Sequence, residues 1–186
     1  MKYSENSIAS ALATQFFDRK YLVMVPNCNW TGHECDVLAV TRDMRIIDIE
    51  IKISRADFKA DAKKDKWVKR AYNWHFEVDG SYLHAHHGPP APDLSIDWPQ
   101  KVWKHYYVMP ADIWTPDLLP AAGSPASGIL LLVEHNGKLF IQCKRQAKAN
   151  RHADTLSPAA AVNLARLASL RMWNALDALH SQRRAA

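Results

Sequence analysis

Cysteine is scarce in this 186-residue chain, limited to Cys28, Cys35 and Cys143, and no pair stands in C-x-x-C spacing. An odd trio without that spacing argues against a disulfide framework or a zinc site, and reads as reduced thiols in a cytoplasmic protein. Long apolar runs are missing too, so nothing here reads as a membrane span. The opening residues Met1, Lys2, Tyr3, Ser4 and Glu5 lack the basic and apolar blocks of a secretory signal. Internal repeats and low-complexity linkers are also absent, and the length favours one domain over residues 1–186. What remains is ordinary in bulk: 48% hydrophobic and 23% charged residues, with a net charge of +5 and a pI near 9.1. That charge permits a polyanionic partner without requiring one.

The informative stretch is Arg45 to Ile53. From Ile47 onward, Ile47, Ile49, Ile51 and Ile53 alternate with Asp48, Glu50 and Lys52. A period of two with β-branched residues at the apolar positions predicts a β-strand, with the charged residues in one row. A solvated strand face would explain such a row. A second strand is expected from His33 to Val40, rich in β-formers after Asp36, and the short polar link Thr41, Arg42, Asp43 and Met44 suits a hairpin between the two. Pairing brings Asp36 towards Glu50, so that two carboxylates and the Lys52 ammonium converge. Hard divalent cations such as Mg²⁺ take carboxylate oxygens and water. A lysine beside such a cation can hold or deprotonate the attacking water and steady phosphate charge.

Asp36 followed by Glu50-Ile51-Lys52 resembles the D…(D/E)-x-K signature of the PD-(D/E)XK nuclease superfamily. The continuation through Ser54, Arg55, Asp57, Phe58, Asp61, Asp65, Lys66 and Trp67 resembles the extended block of its MmcB-like and related phage-encoded members. Residues 5 to 70 carry this resemblance, and His105 to Pro110 resembles that group's aromatic strand ending in proline. Cys35 stands where the superfamily's naming proline would precede Asp36.

The resemblance implies a restriction-endonuclease-like α/β fold, a mixed central sheet flanked by helices. It also implies a Mg²⁺-dependent nuclease, with Mn²⁺ able to substitute, cutting DNA, with RNA not excluded, in DNA repair or in phage replication or defence. Asp36 and Glu50 would bind the metal, helped by the Ile51 carbonyl and by Glu5 on the first helix. Lys52 would position or activate water, and Asp48 would have no role. Ser54, Asp57 and Asp61 would orient Lys52 or Arg55 from behind. The rival reading is a nucleic-acid-binding or scaffold protein that keeps the fold without cutting.

The remaining elements follow from local signals. A first helix is expected from Ser4 to Phe17, with Ser4 as cap and Glu5 in the first turn, where a carboxylate also suits the helix dipole. A short strand should run from Tyr21 to Val25, ended by Pro26. Ser54, with Asp57 three residues on, opens a helix expected to reach Tyr72. Its bases include Arg55, Lys59, Lys63 and Lys66. They suit a phosphate-tracking surface, or equally a solvated face laced by pairs such as Asp61 with Lys64.

Residues 73–101 read as a flap or insertion, with a hairpin turn near Glu77 to Tyr82. The His/Pro-rich run 84–92 is too Pro-broken for a metal site. After a strand from Lys104 to Met109, Asn136-Gly137 marks a hairpin. A last helix over about 158–180 carries a broad apolar face, for the core or for a homodimer.

Overall fold

Ser4 opens the described structure as a working cap. Its Oγ accepts the Ser7 N–H at 3.2 Å, while Ser7 Oγ accepts the Ser4 N–H at 3.1 Å. The computed structural model describes residues 3–17, 20–69, 77–78, 81–82 and 93–185. The first helix, α1 (Glu5–Ala11), continues through a π-helical turn (Leu12–Phe16). Three strands then form an antiparallel meander: β1 (Tyr21–Cys28), β2 (Cys35–Thr41) and β3 (Ile46–Ile51). Helix α2 (Arg55–Asp61) follows, then a 3-10 turn (Asp65–Trp67).

Four two-residue strands come next. β4 (Val68–Lys69) pairs with β7 (Leu94–Ser95), and β5 (Glu77–Val78) pairs with β6 (Ser81–Tyr82). The latter pair is the hairpin expected there, whereas the run 84–92 lies outside the described residues. β8 (Lys104–Pro110) leads through a 3-10 turn (Pro116–Ala121) to β9 (Gly128–His135) and β10 (Lys138–Arg145). The long helix α3 (Pro158–Ala185) ends the chain.

The six main strands lie in the order β1-β2-β3-β8-β9-β10, with β3, β8 and β9 parallel and the outer pairs antiparallel. This is a mixed α/β sheet. β1 runs past Pro26 to Cys28, three residues beyond the expected end, because it is an edge strand that tolerates a missing N–H. Asn136 and Gly137 both have positive φ, as the tight turn between β9 and β10 demands.

Central placement decides the character of β3. A parallel neighbour on one side and covering elements on both faces leave it no solvated face. Ile47, Ile49 and Ile51 pack with Ile8 of α1 and Leu12 of the π-helical turn. Ile46, on the opposite face, packs with Leu38, Val40 and Leu164 of α3. Further along that second face, Phe58, Trp67, Tyr107 and Met109 form another apolar cluster. The charged row of β3 lies between these two clusters and is enclosed.

Two helices differ from expectation. α2 stops at Asp61 rather than near residue 72, because Lys64 adopts extended backbone and the chain turns inward. α3 continues beyond 180 to Ala185. Its core contact falls on Leu164, with Leu167 and Ala168 packing alongside, while Leu170, Trp173 and Leu176 are exposed. An apolar residue every third position drifts around a 3.6-residue helix, so this stripe cannot stay on one partner.

Candidate functional site

The register builds the site. Leu38 pairs with Asp48, which pairs with His105, and Glu50 pairs with Tyr107. Continuing the β2–β3 register one step past Val37 and Ile49 sets Asp36 opposite Glu50. There Asp36 Oδ2 accepts the Ile51 N–H at 2.7 Å, a side chain taking up a backbone donor where the ladder ends.

Asp48 and Glu50 are fully buried and Lys52 is 2% exposed, so the solvated-face explanation of this row is overturned. Glu50 is surrounded by ammonium groups. Lys52 Nζ donates to its Oε2 at 2.9 Å, Lys64 Nζ to the same oxygen at 2.9 Å, and Lys66 Nζ to Oε1 at 2.7 Å. Asp61 makes a second bridge point. Its Oδ1 accepts from Lys52 at 3.0 Å and pairs with Lys64 at 2.9 Å, the i,i+3 pair the sequence suggested. Its Oδ2 accepts from the Tyr107 hydroxyl at 2.6 Å and the Trp67 indole at 3.1 Å.

Gly123 allows that indole to seat, since a Cβ at that position would collide with the Trp67 ring. Asp48 pairs with His33 Nε2 at 3.2 Å, with Lys66 at 3.7 Å and with His105 at 3.8 Å. Four carboxylates (Asp36, Asp48, Glu50 and Asp61) therefore meet three ammonium groups (Lys52, Lys64 and Lys66).

The electrostatics divide these groups into two kinds. Burial opposes the charge of Glu50, Asp61 and Asp48, but the Lys66 ammonium and its neighbours outweigh it and hold all three below the usual carboxylate range. Burial likewise opposes the charge on Lys52, yet Glu50 and Asp61 raise its pKa. Asp36 is the exception. Burial, then the nearby Glu50 charge, push it up to about 6, against the pull of the Ile51 N–H, Lys52 and Lys64. It is the carboxylate of the group that the cluster leaves under-neutralised.

Several expected site residues converge: Asp36, Glu50, Lys52 and Asp61 do. Ser54 caps α2 by accepting the Asp57 N–H at 3.1 Å, and Asp57 lies 3.9 Å from Lys52. Glu5 does not join them; it is exposed on α1, which packs against the Ile47–Ile51 side of the sheet. Lys66 is also corrected: it is buried on Glu50 and cannot track phosphates from an outer surface. Arg55, Lys59 and Lys63 stay exposed, with Arg55 Nε donating to the Ile113 carbonyl at 2.9 Å.

Asp48, expected to be idle, is an integral part of the cluster. His33, His105 and Tyr107 were not singled out as site residues. For His105 and Tyr107 the sequence signal is the aromatic strand itself, because nothing local marks which residues a parallel neighbour presents to β3; His33, in the loop before β2, carries no such signal.

Taken together, the molecule is an α/β protein with a mixed six-stranded sheet and a buried carboxylate–ammonium cluster at its centre. No protein-family profile and no curated protein sequence matches the chain. Among solved structures it is similar to the SPO1766 protein of unknown function from Silicibacter pomeroyi. The two share 20% identity and a TM-score of 0.53 over 98% of this chain and 96% of that one. That likeness concerns the fold alone.

Proposed function

We propose that the chain is a Mg²⁺-dependent phosphodiesterase acting on DNA, with a restriction-endonuclease-like fold. The observation that supports this most is Asp36 standing opposite Glu50 while Lys52 bonds the same Glu50 at 2.9 Å. Asp36 and Glu50 fit a hard cation. Burial first and then the Glu50 charge raise the pKa of Asp36, and a divalent ion shared by the two carboxylates would offset both. When bound, the ion would supply Lewis-acid stabilisation of the phosphate and a more acidic water.

The chain's own residues do the rest. Glu50 anchors Lys52, and Asp61, fixed by Tyr107 and Trp67, holds the same ammonium from the other side. That positive charge is thereby pre-aimed, which favours a transition state carrying extra negative charge. Lys64 is half exposed and shares Glu50 Oε2, so it is the ammonium best able to swing away when a cation arrives.

A Mg²⁺ titration by calorimetry tests the site. Between its ordinary 3.8 and about 6, Asp36 holds a proton in the folded protein that it would release if unfolded. Its contribution to stability is therefore present below about pH 4 and lost as pH rises through about 6. The cation competes for the same oxygens. Its affinity should fall about tenfold per pH unit below pH 6 and level off above it. An affinity that does not change between pH 5 and pH 7 removes Asp36 from the metal site.

The exposed bases of α2 and the turn after it offer the nucleic-acid surface. Replacing Lys59 and Lys63 by Gln should weaken DNA binding across sequences. The log–log salt slope should flatten by about one unit per lost phosphate contact. An unchanged slope would make these lysines a solvated face only.

A further inference from the structure

A second group of ligating side chains lies beside the first and uses none of Asp36, Glu50 or Lys52. His33, Cys35 and Asp48 each bring one ligand atom to within 4.8 Å of the others. Cys35 and Asp48 are buried, and His33 is partly so. Among the described residues, Asp48 Oδ1 is buried without a hydrogen-bond partner, a costly state for a carboxylate oxygen. His33 also lines a cavity of about 650 Å³, together with Thr31, Gly32, Lys66, Ile96 and Gln100.

We propose that His33, Cys35 and Asp48 form a three-ligand zinc site whose fourth position is left for water. One nitrogen, one sulfur and one carboxylate oxygen suit a borderline ion such as Zn²⁺ and not Mg²⁺. Three protein ligands with an open fourth position is the pattern of catalytic rather than structural zinc. The dimensions agree. Tetrahedral zinc with bonds of about 2.1 Å needs nitrogen and oxygen about 3.4 Å apart, and His33 Nε2 and Asp48 Oδ2 are 3.2 Å apart.

The ion would thus take the place of the present hydrogen bond between those atoms. Thr31 supports the ligands from behind: its Oγ1 donates to the His33 carbonyl at 3.1 Å and lies 3.5 Å from Cys35 Sγ. Lys66, 3.7 Å from Asp48 Oδ2, is the opposing charge, and it is held more closely by Glu50 at 2.7 Å. This assignment does not depend on phosphodiesterase activity.

The test uses the full chain, reduced and stripped of metal, titrated with Co²⁺ as the probe and then with Zn²⁺. The expected result is a thiolate-bound cobalt species that saturates at one Co²⁺ per chain, whatever Asp36 and Glu50 hold besides. A sulfur-to-cobalt charge-transfer absorption should appear, and Zn²⁺ should bleach it. Cys35→Ser should lose the band, whereas Cys28→Ser, Cys143→Ser and Asp36→Asn should keep it. Cobalt held by Asp36 and Glu50 alone would lack the sulfur band, so the two sites are distinguished.

His33→Gln, at a partly exposed position, provides a variant that folds even if Cys35→Ser does not. Its Co²⁺ affinity should drop by at least about tenfold. The assignment is overturned by a wild-type chain that develops no sulfur band saturating at one Co²⁺ per chain, by a Cys35→Ser chain that keeps the band, or by an unchanged affinity in His33→Gln.

Discussion

Asp36→Asn and Glu50→Gln should each abolish Mg²⁺-dependent cleavage of DNA while moving the melting temperature in opposite directions. The amide oxygen introduced by Asp36→Asn can still accept the Ile51 N–H, which Asp36 accepts at 2.7 Å, and the change removes a charge that Glu50 repels. The metal-free Asp36→Asn protein should therefore melt at or above the wild-type temperature.

Glu50 is the opposite case, since it neutralises Lys52, Lys64 and Lys66 at 2.7–2.9 Å. A neutral Gln leaves those ammonium groups under-compensated, at a cost on the order of 3 kcal/mol. In a chain of this length that lowers the melting temperature by roughly 6–12 °C. Sequence alone treats the two carboxylates as an equivalent repelling pair, and the lysines over Glu50 break that symmetry. Thermal melts in EDTA, run beside the nuclease assay, check both statements. Full activity in either variant would remove the pair from catalysis. A stabilised Glu50→Gln would mean that the lysines do not hold it in solution.

The second large effect separates Lys52, just past the end of β3, from Asp48 within it. Lys52→Ala should lower turnover by a factor on the order of 10² or more, with DNA affinity little changed, because its charge acts mainly in the transition state. It also leaves Glu50 and Asp61 each short of one partner, so circular dichroism must show a folded protein before the rate is read.

Asp48→Asn should cost mainly stability, through weakened contacts to His33, Lys66 and His105. Its effect on Mg²⁺-dependent turnover should be far smaller. If Asp48→Asn is as inactive as Glu50→Gln while Lys52→Ala still turns over, the reacting centre lies at the histidine end of the cluster.

The strands and their turns were legible because their signals are local. Alternating Ile and charged residues mark β3, and Asn136-Gly137 marks the β9–β10 hairpin through its positive φ angles. Asp36 opposite Glu50 was legible as well, since a short antiparallel hairpin carries its register in its own length. The halt of α2 at Asp61 was not. Local propensity favours continuing, and the chain turns because Lys64, Lys66 and Trp67 find partners in Glu50 and Asp61 only after the sheet has formed.

The company of His105 and Tyr107 lay equally out of reach, because β8 joins β3 in parallel across more than fifty intervening residues. By itself the sequence determined which residues alternate, where the hairpins turn and which carboxylates share a face. Tertiary structure alone decided that the charged row is buried, and so that its lysines serve as counter-ions there. Burial depends on what covers a face, and those covering residues come from distant parts of the chain.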